Sequence, residues 1–365
     1  MQTRKKIQMI TIDARWINIS GMGTYLRNVL PGVIAAFPER EFCLLGDKAA
    51  LSSSGWTNSA NVCLVETGSA MYSLAEQMEL IRKIPKETSL FWATHYNIPL
   101  FYRGKMLVTV YDLFHLAMPE LVGGIHKRLY AQIMFWAVRR RAAAIITISR
   151  FSKDELIRFA GKGRQPIYPV HLGVANAWFN IPASGEPRHE KYILYVGNVK
   201  PHKNLSALVK AFGSISDKIP HNLIIVGKKN GFITGDEIVA REAARLGERV
   251  QFTGYVDDET LRQYFAHADA LVFPSLYEGF GLPPLEAMAA GCPVLVSDAA
   301  SMPEICGDAA VYFDPRQLAD IAEKMLKVLS DENLRKILRQ RGYEHAREFT
   351  WERCVKETCE VIRNM

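Results

Sequence analysis

Glu278 and Glu286 enclose seven residues, Gly279-Phe280-Gly281-Leu282-Pro283-Pro284-Leu285, whose types suit a turn rather than a strand or helix interior. Ala270-Leu-Val-Phe273 reads as a strand that ends just before them. The two prolines suit a first helical turn. Gly291 stands where that helix should stop. A strand-to-helix turn of this kind aims unpaired backbone N–H groups and the positive helix end at one point, so a diphosphate is a natural occupant. Glycine lets such an anion approach the backbone closely. Glu286, in the first helical turn, can accept both hydroxyls of a ribose. Glu278, before the loop, stands near where a sugar on the diphosphate would lie. An isolated pair at this spacing is more readily a helix-dipole partner and a solvated loop residue. The intervening glycines and prolines reverse that balance.

Three other segments could act with this one. Gly197-Asn198-Val199-Lys200-Pro201-His202-Lys203-Asn204 follows the run Tyr192 to Val196. Gly197 permits close backbone approach, and Lys203 near a helix start can neutralise a leaving diphosphate. The bland reading is a surface lysine beside an N-capping Asn204. Lys200, His202 and Lys228 are the candidates for a second phosphate cation. Ser20-Gly21-Met22-Gly23-Thr24-Tyr25 resembles a dinucleotide fingerprint, but Leu26 stands where the third glycine belongs. As a loop, Gly21 and Gly23 could still offer N–H groups to a phosphate. Tyr111-Asp112-Leu-Phe-His115 follows a strand-like run. Asp112 and His115 are two potential metal ligands without a third, so no metal is expected. Asp13 and Arg15 read as a local salt bridge, and Ser152 as a cap on the helix that follows it.

These loops need a frame, and the pattern supplies two. Ile7–Ile12, Phe42–Leu45, Val62–Val65, Leu107–Tyr111 and Ala144–Ile148 read as strands, with helices over Tyr25–Phe37 and His126–Arg141. The alternation restarts with strands at Tyr192–Val196, Leu223–Val226, Val250–Phe252, Ala270–Phe273, Pro293–Val296 and Ala310–Phe313. Helices over Leu205–Ile215, Asp236–Leu246, Leu261–Ala268 and Pro284–Ala290 separate them. Strand–helix alternation implies parallel sheets with right-handed crossovers. The expectation is α/β: two doubly wound, Rossmann-like domains, residues 1–182 and 191–345, joined by a linker over 183–190. A last helix lies within residues 346–365. Ligands bind such sheets outside the carboxyl ends of the strands. Two such edges facing each other would form a cleft.

With 365 residues, 48% of them apolar and 23% charged, the chain is long enough for two cores and too apolar for disorder. A charge of +7 suits an anionic ligand or lipid surface without requiring either. Nucleic acid is not expected, because no zinc-finger, RNA-recognition or helix-turn-helix pattern accompanies that charge. Six cysteines without a C-x-x-C pair point to a reduced, cytoplasmic compartment. Asp13 and Arg15 interrupt the first apolar run, so it makes a poor signal-peptide core, and no apolar stretch is long enough to span a bilayer. The stretch with Arg128, Phe135, Trp136, Arg139, Arg140 and Arg141 could rest on an anionic membrane at its inner face; it reads equally as a packed helix with a charged end.

The segment Glu278–Glu286 resembles the E-x7-E signature of retaining GT-B glycosyltransferases of family four, also called glycosyltransferase group 1. Other segments fit in order: the opening Asp13-Ala-Arg15 with Gly21-x-Gly23-x-Tyr25, the Gly197 to Asn204 stretch, Pro303-Glu304-Ile305, and Gly307-Asp308-Ala309. Asn198 and His202 stand where many members carry arginine. The resemblance covers nearly the whole chain, and the opening is typical of mannosyltransferase-like bacterial members. It implies a metal-free hexosyltransferase with no cofactor beyond its nucleotide-sugar co-substrate. It implies donor binding by Gly21, Gly23, Gly197, Lys203, Gly279, Phe280, Gly281, Leu282 and Glu286, and catalytic roles for Glu278, His115 and Lys203. It also implies mannose transfer from GDP-mannose to a glycan or lipid-linked oligosaccharide in surface polysaccharide (O-antigen) synthesis, with the last helix crossing back to the first domain. A nucleotide-sugar epimerase and a non-catalytic nucleotide-binding module are the alternatives.

Overall fold

A computed structural model describes residues 8–181, 190–227 and 237–365. The expected linker, Lys228, Asp236 and Ile7 fall wholly or mostly outside those residues. By its contacts the chain divides into two compact units, Met1–Gly173 together with Trp351–Met365, and Val174–Thr350.

The first unit is built on seven parallel strands: β1 (Met9–Asp13), β2 (Glu41–Gly46), β3 (Val62–Glu66), β4 (Thr88–Ala93), β5 (Met106–Val110), β6 (Ala144–Thr147) and β7 (Ile167–Pro169). They lie in the order β3-β2-β1-β4-β5-β6-β7. Every residue of β5 is buried, which is why the central strands read as continuous apolar runs rather than alternating ones. The sequence pattern missed β4, although it is central. Its apolar run is only Leu90 to Ala93, too short to separate from a helix segment by periodicity. The helix expected from Tyr25 opens at Ser20 and runs to Ala36. Its early turn is possible because Gly23 has no side chain: a Cβ there would lie 2.2 Å from the Ile17 carbonyl oxygen. Trp351–Arg363 packs on this helix, with Val355 filling the space above Gly32, where a Cβ would lie 2.7 Å from Val355 Cγ1.

The second unit has six parallel strands: β8 (Tyr192–Val196), β9 (Asn222–Val226), β10 (Val250–Gly254), β11 (Ala270–Phe273), β12 (Val294–Ser297) and β13 (Val311–Phe313). Their order is β10-β9-β8-β11-β12-β13. The expected helix near the two prolines spans Leu282–Ala289, and Gly291, at φ +72, follows its end. Helices Leu318–Ser330 and Glu332–Ala346 were not read from the sequence. The second buries only Leu338, Gly342 and Ala346, a stripe too sparse to stand out.

Two capping expectations are corrected. Ser149, not Ser152, caps the helix Arg150–Ala160: its Oγ accepts from Ser152 N at 3.0 Å, while Ser152 Oγ donates to Tyr111 O at 2.7 Å. A residue already inside the first turn cannot cap it. Asn204 stands at the N-cap position in a left-handed conformation and makes no cap bond; its side chain donates to Pro315 O at 2.7 Å instead.

In both sheets strand order reverses beside the first strand, between β1 and β4 and between β8 and β11. Such switch points leave a crevice at the carboxyl ends of the strands. The expected α/β class, two parallel Rossmann-like sheets, is the one observed.

Candidate active site

At the switch point of the second unit, the loop after β8 carries Gly197 to Lys203 and the loop after β11 carries Glu278 to Leu282. Gly197 N donates to Val226 O at 3.0 Å, which anchors the first loop. Leu276 N donates to His202 O at 2.7 Å and joins the two. Ser297 Oγ donates to Ser275 O at 2.6 Å. Ser301 Oγ lies 3.0 Å from Glu278 O and 2.8 Å from Phe280 O, so it clamps the turn from below. Neither serine stood out in the sequence, because a hydroxyl that serves backbone carbonyls leaves no spacing signal.

Lys203 Nζ donates to Glu278 Oε1, and the same ammonium lies 5.3 Å from the centroid of the Phe273 ring. The two residues nominated from separate segments therefore meet. Their side chains keep 18% and 15% of their exposure, so both remain within reach of a ligand. The helix Leu282–Ala289 opens beside them on Gly281, with no side-chain cap; because it starts at Leu282, ahead of both prolines, Glu286 falls in its second turn and not, as expected, in its first. Gly281 has φ +109, a conformation that other residues rarely adopt. Pro283 and Pro284 bring no N–H, so the amides available at this end are those of the residues before them. The Phe280 ring is buried edge-on to Phe349, 6.1 Å between centroids, and its carbonyl accepts from Ser301 Oγ.

Two titratable groups are shifted. Burial, reinforced by the charge of Asp258, pushes the Glu286 carboxyl up to about 8. Burial also brings the His202 imidazole down to about 4, against the pull of Glu278 and with the push of Lys203 and Lys200. His202 is therefore neutral near pH 7. Lys200 is exposed on the same loop.

Gly21, Gly23 and His115 belong to the first unit. Gly21 and Gly23 lie inside the first turn of Ser20–Ala36 rather than in a free loop. That helix also opens without a side-chain cap. His115 lies in the short helix Phe114–Ala117 after β5, its ring 6.2 Å from Tyr96. Asp112 Oδ1 accepts from Phe114 N at 2.9 Å, so it holds that turn.

The switch point of the first unit contains a buried network. Arg15 Nε and Nη2 each lie 2.7 Å from an oxygen of Asp13, which bears out the local salt bridge. Arg15 Nη1 also donates to Glu76, and Asn97 Nδ2 donates to the same carboxylate at 2.7 Å. Tyr130 OH donates to Asn97, and Tyr72 N to Glu76. Burial works to lower the Arg15 pKa, but Asp13 and Glu76 more than reverse it, so the guanidinium stays charged. The His95 ring lies against Trp16 and Tyr96, with centroids 4.0 and 4.2 Å away and planes tilted by 33° and 35°, and burial with the charge of Arg15 and His115 drives it down to about 3. Glu76, His95, Asn97 and Tyr130 carry no local motif and were not found from the sequence.

Residues 176–345 match the family model described as Glycosyl transferases group 1. The match covers most of the second unit, so this part of the chain is similar to that family. The chain is 34% identical to O-antigen chain mannosyltransferase B of Escherichia coli over 235 residues, 61% of each chain. It thus spans about three-fifths of that relative's length. Sucrose-phosphate synthase from Thermosynechococcus elongatus shares the fold with a TM-score of 0.78 at 20% identity, covering 98% of both chains. The HepE protein of Anabaena, in complex with UDP-glucose, does so with a TM-score of 0.77 at 16% identity, covering 98% of this chain and all of that one. Likenesses at such identities carry the fold alone.

Proposed function

We propose that this protein is a retaining glycosyltransferase of family four that moves mannose from GDP-mannose onto a glycan acceptor, carried on lipid, during surface polysaccharide synthesis. The observation that supports it most is the exchangeable ion pair Lys203–Glu278 beside an uncapped helix opening on Gly281. In this reading the donor diphosphate takes Lys203 from Glu278, and the helix end supplies further positive potential. Glu278, released, faces the sugar. The bond between the anomeric carbon and the diphosphate oxygen breaks as the acceptor oxygen attacks from the same face. The departing diphosphate oxygen takes the acceptor's proton. Lys203 and the turn amides stabilise the charge that grows on that oxygen. Glu286 meets the ribose, and His115 a sugar hydroxyl. No metal takes part, and the reaction belongs to the cytoplasmic side of the membrane.

The mannose donor rests on the E. coli relative's printed name. The UDP-glucose complex of HepE makes UDP-sugars the competing donor class. A thermal-shift screen of GDP-, UDP-, ADP- and dTDP-sugars should give its largest rise with GDP-mannose, because a ligand of the folded state raises the melting point by mass action. Nucleotide release should then depend on acceptor. Release without any acceptor would favour the epimerase reading, and Glu278→Gln with full transfer activity would remove the role given to Glu278.

A further inference from the structure

The helix Ile125–Arg141 presents an apolar stripe that no part of its own unit covers. Ile125, Leu129, Ile133 and Trp136 are 86%, 56%, 46% and 56% exposed. At 3.6 residues per turn these four positions fall within roughly 80° of arc, so they form one face rather than scattered contacts. The opposite face, Ala131, Met134, Phe135, Ala137 and Val138, is buried on the sheet. Phe135 and Arg139, which the sequence alone offered as surface groups, are part of that packed side; Arg139 Nε donates to Gly161 O at 2.8 Å.

The helix that carries the stripe is cationic: at the same spacing Arg140 falls within the stripe and Arg128 roughly 60° outside it. The helix contains no acidic residue. Lys127, Arg128, Arg140 and Arg141 are exposed on it, and the Arg140 guanidinium lies 5.2 Å from the Trp136 ring centroid. Arg141 Nη1 donates to Tyr102 O at 3.1 Å, which ties the helix end to a loop where Phe101 is 69% exposed and Arg103 and Lys105 are exposed as well. Among the described residues no helix is long and apolar enough to cross a membrane. An aliphatic and tryptophan face accompanied by arginine, on a helix without acidic residues, is the composition of a helix that lies in a lipid interface. Arginine at the rim pairs with phosphate, and tryptophan sits at headgroup depth.

We propose that the face formed by Ile125, Leu129, Ile133 and Trp136 docks the protein on a bilayer rich in anionic phospholipid. It takes from the proposed function only the lipid-borne acceptor, and its test uses neither donor nor acceptor, so either reading can fail alone. Full-length protein is floated with vesicles of phosphatidylcholine, alone or with about one-third phosphatidylglycerol. Binding is expected on the anionic vesicles, weakening as salt screens the arginines. Leu129→Glu/Trp136→Glu should lower partitioning at least ~10-fold, and Arg128→Gln/Arg140→Gln several-fold. Both pairs are exposed, so the melting temperature and the donor-induced thermal shift should not change. Equal partitioning of parent and variants, or no binding by the parent, would overturn the proposal. So would a concentration-dependent dimer in vesicle-free buffer that Leu129→Glu/Trp136→Glu abolishes, since the face would then belong to a second copy.

Discussion

The two units place charged residues at equivalent points of their sheets and treat them in opposite ways. Between β1 and β4, Arg15 is held by two carboxylates, Glu76 is further bound by Asn97 and the Tyr72 amide, and Asn97 by Tyr130. Asp13 and Glu76 are fully buried. Between β8 and β11, Lys203 and Glu278 have each other and a partly open side. A saturated network resists exchange, because breaking one bond strands a buried charge. A half-open pair can trade its carboxylate for a phosphate at little cost. Similar residue types at similar positions thus give a closed network in one unit and a half-open pair in the other, the pair that the proposed function uses for binding.

The contrast breaks most sharply at Glu76. Glu76→Ala leaves Arg15 one carboxylate short in a buried site and should lower stability by about 3 kcal/mol or more. Chemical denaturation should show this, and a loss below about 1 kcal/mol would mean the network is not the closed device described. Lys203→Ala should do the reverse. Its effect on stability should stay within about 1 kcal/mol, because the pair is partly solvated. Transfer should fall ~10²-fold or more, as when one donor to a developing oxyanion is removed. A Lys203 variant that unfolds before it loses activity would make the two sites alike.

What the sequence disclosed follows the same division. Gly281, Pro283, Pro284 and Gly291 marked the turn because backbone geometry restricts which residues fit there, and the helix appeared between them. The β8 to β13 strands were legible as buried runs. Glu76, Asn97 and Tyr130 were not, since they come from three distant segments and acquire meaning only through the fold. Ser301 escaped, and Asn204 was misread as a cap, for a related reason: each serves backbone carbonyls, a role with no fixed spacing. Asp13 with Arg15 was readable as a bridge because two residues along the chain suffice to make it.

A smaller effect is expected at Gly281. Left-handed backbone costs a residue with a Cβ about 1–2 kcal/mol. An added methyl would also meet Met302, with Cε at 2.4 Å. The methionine end can move, so Gly281→Ala should fold, with a modest fall in melting temperature. Its donor affinity should drop further than its stability, because the turn that aims the helix end is displaced. Equal losses in the two measurements would assign Gly281 to folding alone.

Glu286 sharpens the comparison through pH. Its carboxyl titrates near 8 in the folded chain, raised from 4.5 by burial and by Asp258. From about pH 4.5 to 8 the folded state therefore holds a proton that the unfolded state has lost, and stability falls as pH rises through this window. Glu286→Gln removes the ionisable group, so the variant should match the parent near pH 4, gain on it as pH rises, and hold a constant advantage above pH 8. The same titration reaches function. Above pH 8 an ionised Glu286 adds negative charge near a diphosphate, so donor affinity of the parent should fall there, while that of Glu286→Gln should stay level. If affinity instead climbed through pH 8 and the glutamine variant lost it, the ion would be the form that holds the ribose, by accepting from both hydroxyls. The direction of that single slope decides whether Glu286 resembles the sealed carboxylates of the first unit or the exchangeable one beside it.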